Sequence, residues 1–197
     1  MLTYKTLHIS SFFGESGKSI GIYLVKFIGA FCILFFGTKA VIGLTVPGGY
    51  YSPFVANHLD YPSLLRSSLL HGTRILVGIF GFDAYLRDAY RVAFVNGRGV
   101  RLVYTCLGYG VLSFWIAFIY ANSGSFFKKT TWILIGCIFI WLINVARISL
   151  VLIATNRGWD NSYTMEQHSF YNIIVYACIF LMMVLFKLSE KTKALPK

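Results

Sequence analysis

The sequence predicts an all-α polytopic membrane protein. About four to five transmembrane helices are expected, with a peripheral or re-entrant helix and a small β-hairpin just before Cys106. Three observations predict this. Hydrophobic residues make up 57% of the 197 residues and charged residues only 13%, against about 25% charged in a soluble domain. Mean hydropathy is +0.67. Apolar runs of the ~20 residues that cross a bilayer recur along the chain.

Aromatics reach 18%, which suits Trp and Tyr at membrane interfaces. Net charge is +11, from 18 Lys and Arg against 7 Asp and Glu. The basic residues flank apolar runs and form no stripe, and no nucleic-acid-binding motif accompanies them, so no nucleic acid is expected as a partner.

One membrane domain is expected over residues 1–197. Residues 1–19, with Lys5 and Lys18, read as an interfacial segment, and 20–46 as the first span. Lys26 and Lys39 within that span can snorkel to its ends. The run is long and lacks a small-residue cleavage site, so it is expected to stay as an anchor. Pro47, Gly48 and Gly49 end it.

Residues 63–82 are helical by period. Leu64, Leu65, Leu69, Leu76 and Ile79 can share a broad apolar face, with Arg66 and Arg74 off it. A lipid-facing span would bear those charges at a cost of several kcal/mol, so a peripheral or re-entrant helix is expected. Residues 89–95 and 100–104 are rich in β-branched and aromatic side chains and enclose Asn96-Gly97-Arg98-Gly99. Asn-Gly between such runs predicts a hairpin over 89–104.

A three-helix core is expected over 105–188, with spans near 105–121, 131–154 and 168–188, and a basic tail over 189–197. Lys128 and Lys129 in one loop, and the lysines of the tail, place both on the cytoplasmic side by the bias of basic residues.

The cysteines are Cys32, Cys106, Cys137 and Cys178. No pair has CxxC spacing, so no metal site is expected, and no cofactor is called for. Three lie within apolar runs, where cysteine behaves as a small hydrophobe. Cys106 stands where a span is expected to begin. Crossing parity then brings Cys106, Arg147 and His168 to one membrane face, whichever way up the protein sits.

These residue types suit acyl transfer. A thiolate attacks, and its formation is favoured by a helix N-terminus or a nearby cation. A histidine can take the thiol proton and return it to a leaving amine. An arginine can hold a developing oxyanion. Asn144 lies three residues before Arg147 on the same helical face, and Asn172 lies four after His168, where it can orient the ring. Tyr104 and Tyr109 flank the cysteine, whereas His8, His58 and His71 have no comparable context. Each residue also has a plainer reading, as packing, snorkelling or interfacial polarity.

The segment Tyr104-Thr105-Cys106-Leu107-Gly108-Tyr109-Gly110, then Asn144-Val145-Ala146-Arg147-Ile148, then Gln167-His168, resembles the exosortase/archaeosortase family. It is most similar to the short exosortase-like proteins of Bacteroidetes, over about 85–185. The resemblance implies a membrane cysteine transpeptidase of the bacterial inner membrane, active outside the cytoplasm. Such an enzyme cuts exported proteins near a C-terminal sorting helix through a thioester and passes them to a lipid or other cell-surface acceptor. Cys106 would be the nucleophile, Arg147 the transition-state stabiliser and His168 the acid/base, with Gly108, Asn144 and Asn172 in support. Many members have Ser-Gly after the cysteine; here Leu107 replaces the serine and Gly108 remains. An active face outside would also put Arg66, Arg74, Arg87, Arg91, Arg98 and Arg101 outside, against the positive-inside bias. There they would meet an acidic substrate segment or lipid headgroups.

Other readings stay open. One is a non-catalytic membrane subunit of a secretion or polysaccharide-export complex. Another is a small-solute transporter using Arg147 and His168, for which the spans are few. A plain protease would share the same residues. The substrate motif, the acceptor and the oligomeric state are not legible in the sequence.

Overall fold

The computed structural model describes residues 3–46, 50–157 and 161–191, with side chains for 18–46, 50–157 and 173–190. The chain is mostly helical and carries one small sheet. Helix α1 (Thr3–Thr45) runs without a break through the expected interfacial segment and first span. Short α2 (Pro53–His58) and then α3 (Tyr61–Ile79) follow. Helices α4 (Tyr109–Ala121), α5 (Phe126–Asn156) and α6 (Asn161–Lys191) complete the order.

Among the described residues three helices are long and apolar enough to cross a membrane: Lys18–Thr45, Phe126–Asn156 and Ile173–Glu190. Helix α4, expected as a span over 105–121, has 13 residues. At ~1.5 Å per residue it reaches about 20 Å, short of the ~30 Å of a hydrocarbon core.

The start of α3 follows from its sequence. Asp60 caps it by accepting from the Ser63 amide at 3.1 Å, and Pro62 sits in the first turn, where no amide is needed. Its expected apolar face splits. Leu69 is fully buried, whereas Leu64 is 72% and Ile79 74% exposed. Arg66, expected off the apolar face, is buried among the elements that α3 covers. The inner side of α3 packs on α5. There Gly72 admits the Trp141 ring, and the Trp141 indole N–H donates to Ser68 at 3.1 Å.

The hairpin is part of a three-stranded antiparallel sheet of β1 (Ala84–Asp88), β2 (Arg91–Phe94) and β3 (Gly99–Arg101), in that order. Val92 stands opposite Val100 and Leu86 opposite Val92. The Asn-Gly turn is not of the primed type, because neither Asn96 nor Gly97 takes a positive φ. A tertiary contact holds the loop instead. The Asn156 carboxamide accepts from the Arg98 amide at 2.6 Å and donates to the Arg98 carbonyl at 2.9 Å.

Two apolar clusters result. Leu69, Leu70, Val77, Val92, Leu102, Leu107, Val145, Ile148 and Leu152 join α3, the sheet and the later half of α5. Trp115, Phe118, Ile119, Ile140, Met182 and Phe186 join α4, α5 and α6. In lipid, helices associate through close packing rather than water exclusion. Gly136 allows this, since a Cβ there would overlap the Trp115 indole. The far end of the bundle is tied by lysines. Lys129 donates to the Tyr120 carbonyl at 3.1 Å and Lys128 to the Ser189 carbonyl at 2.9 Å, so each satisfies a carbonyl near a helix C-terminus.

Candidate functional site

Cys106 does not open a span as expected. It ends a single 3-10 turn, Tyr104–Cys106, closed by its amide donating to the Val103 carbonyl at 2.9 Å. The cause lies two residues on. Gly108 takes φ +74, ψ 13 and is the N-cap of α4. That left-handed conformation is costly for a residue with a Cβ, and it separates the turn from the helix.

Gly108 has a second reason to lack a side chain. A Cβ there would come 3.0 Å from the Asn144 Nδ2. Asn144, only 7% exposed, passes through that gap and donates to the Cys106 carbonyl at 3.2 Å. The turn is thereby fixed to the middle of α5.

A cavity of about 300 Å³ adjoins this contact. Thr105, Gly108 and Tyr109 form one wall. Ile140, Ile143, Asn144 and Arg147 form another at helical spacing. Phe35 of α1 and Val175 and Tyr176 of α6 close it. Arg147 is partly buried, and among the described residues its guanidinium has no hydrogen-bond or ion-pair partner. The cavity lining therefore includes a cation, an amide and three hydroxyl-bearing residues, Thr105, Tyr109 and Tyr176, in an otherwise largely apolar surround. A second, apolar cavity of about 510 Å³ lies between α1, α4 and α6 and shares Gly110, Val111 and Tyr176 with the first.

The structure thus brings the turn of Cys106, Gly108, Asn144 and Arg147 together. Cys106 itself is partly buried against the cluster of α3, the sheet and α5, and it is not among the residues lining the cavity. All four cysteines are free thiols. His168 and Asn172 belong to α6, but they lie outside the residues whose side chains are described. Among the described residues no three His, Cys, Asp or Glu side chains gather as a metal site would need.

Arg66 is the residue that sequence reasoning misplaced. Its guanidinium carbon lies 3.9 Å from the centre of the Tyr90 ring and 4.9 Å from that of Tyr104, and its Nε donates to the Ala89 carbonyl at 3.0 Å. Burial pushes the Tyr90 phenol above its ordinary pKa, and the adjacent Tyr104 hydroxyl adds to the effect. An arginine inside an apolar helical run was the available signal, since such a charge marks a functional position by default.

No family model matches the chain, and no curated protein or solved structure matches it.

Proposed function

We propose that this chain is a membrane-embedded cysteine transpeptidase or protease of the exosortase type. It would cut exported proteins at a C-terminal sorting signal and pass the new acyl end to a surface acceptor. The observation that carries this reading is the shared cavity, where the Cys106 turn, pinned by Asn144, faces Arg147.

The chemistry runs in two halves. The Cys106 sulfur attacks the scissile carbonyl, and its proton passes to His168. Arg147, with no partner among the described residues, stabilises the oxyanion as it forms. Collapse breaks the carbon–nitrogen bond, and the amine leaves with the proton from His168. An acceptor amine, hydroxyl or water then attacks the thioester and frees the thiol. Val175, on the cavity wall, follows His168 by two helical turns, a spacing that returns to the same helical face. Cys106 packs on the apolar cluster and does not line the cavity, so reaction requires its sulfur to move to the cavity side; catalytic contacts commonly tighten only once substrate is bound. The adjoining apolar cavity suits the hydrophobic part of a sorting helix. In this reading α1, α5 and α6 cross the inner membrane, α4 covers a shorter path, and the cavity opens outside the cytoplasm.

A second reading rests on the packing of Cys106 against apolar neighbours, as a cysteine does when it is merely a small hydrophobe. The protein would then be a non-catalytic membrane subunit of a secretion or polysaccharide-export complex. Intact-mass analysis of surface proteins from host cells carrying wild type or Cys106→Ala separates the two. Loss of terminal hydrophobic helices only with wild type supports the enzyme, and the mass of the new terminus identifies the acceptor. Identical termini, with both variants stably expressed, leave the subunit reading.

A further inference from the structure

Beyond the residues given roles above, we propose that Arg66 is a positioning residue. It clamps Tyr104 and so holds the nucleophile turn beside the Arg147 cavity. The inference rests on the transpeptidase reading for its meaning, and on separate geometry for its support.

Arg66 comes from α3, is only 5% exposed, and bridges two segments that are distant in sequence. Its Nε holds the Ala89 carbonyl at the β1–β2 turn. Its guanidinium contacts the rings of Tyr90 and Tyr104. Tyr104 is the first residue of the turn that Cys106 ends. That turn is therefore held at both ends, at Tyr104 by the cation and at the Cys106 carbonyl by Asn144.

These contacts use only part of the guanidinium. The Nη1 of Arg66 is buried and has no hydrogen-bond partner among the described residues, although buried polar groups nearly always find one. An apolar side chain of similar length often serves a buried slot as well or better. What it would lose is the directional grip on two aromatic faces and a carbonyl. A guanidinium kept in spite of an orphan nitrogen fits a role in placement.

The test uses the full chain purified in detergent, with Arg66→Met, Arg66→Lys and Tyr104→Leu. Melting temperature is recorded, and alkylation of each cysteine by iodoacetamide is followed by peptide mass spectrometry. Processing of surface proteins in the host is scored in parallel. Arg66→Met is expected to fold, with a melting temperature within a few degrees of wild type. Its Cys106 alkylation rate should change by about tenfold or more, and processing should fall by a similar factor, since small misplacements of reacting groups carry such costs. Cys32, Cys137 and Cys178 should react as in wild type, and Arg66→Lys should recover part of the effect. A smaller change at Cys106, or an equal change at all four cysteines, overturns the proposal. If Arg66→Met does not accumulate, Tyr104→Leu decides by the same thresholds. A silent Cys106→Ala sinks the transpeptidase reading alone, because the alkylation rates judge the clamp independently.

Discussion

At the residue scale, the contact between Asn144 and the Cys106 carbonyl depends on two neighbours in space. Gly108 supplies both a left-handed backbone and an empty Cβ position. Gly108→Ala should cost about 1–2 kcal/mol for the backbone conformation, with a further shift of Asn144, and a lowered melting temperature checks it. Asn144→Ala leaves the Cys106 carbonyl without its donor. A loss of about 1–3 kcal/mol is expected for a buried group so orphaned. Amide hydrogen exchange should rise over 104–108 and stay unchanged near Trp115. Of these features, the sequence made the shared face of Asn144 and Arg147 legible through their spacing. It did not make the turn legible. Tyr104-Thr105-Cys106 reads equally well as the start of a helix, and only the φ of Gly108 separates the two.

At the element scale, the long apolar runs were legible because span length and composition are set by the bilayer. Strand β1 was not. Its five residues carry Arg87 and Asp88 on exposed positions and bury only Ala84 and Leu86 in part, too short a pattern to stand out. The Asn96-Gly97 pair did mark a loop between strands, but its conformation was decided by Asn156, a residue 58 positions away from Arg98. Local turn preference yields to such a contact when it satisfies two backbone groups at once. Asn156→Ala removes both bonds to Arg98. A local loss of about 1–2 kcal/mol is expected from their typical worth, seen as faster exchange over 95–98 with little change in α4. The two faces of α3 were likewise blurred. A helix that lies between a protein core and an apolar surround exposes leucine and isoleucine on its outer side, so hydrophobicity alone does not say which face is inner.

At the scale of the whole molecule, the loop after α4 and the hairpin stand at opposite ends of α5. Asn122 receives a hydrogen bond from Lys187, and Lys128 and Lys129 hold neighbouring carbonyls at the same end. If α5 crosses the bilayer, single cysteines at these ends must differ in access. In a background with its native cysteines replaced, Arg98→Cys should react with a membrane-impermeant maleimide in intact cells. Ser123→Cys should react only after permeabilisation. Equal reaction of both in intact cells would remove the proposed topology. The crossing parity expected from the sequence is what this labelling tests, since α4 is shorter than a full span.

The grip of Asn156 on the hairpin reaches further than the loop it holds. It fastens the sheet to the C-terminal end of α5, while Asn144 fastens the Cys106 turn to the middle of the same helix. The sheet, α3, the turn and half of α5 share one apolar cluster and so behave as a single fixed jamb. The cavity wall outside that body includes Phe35 of α1, Gly110 and Val111 of α4, and Val175 and Tyr176 of α6. On the proposed transpeptidase reading, a door that admits a polypeptide to Arg147 would swing on that side, rather than lift as a flap of the sheet.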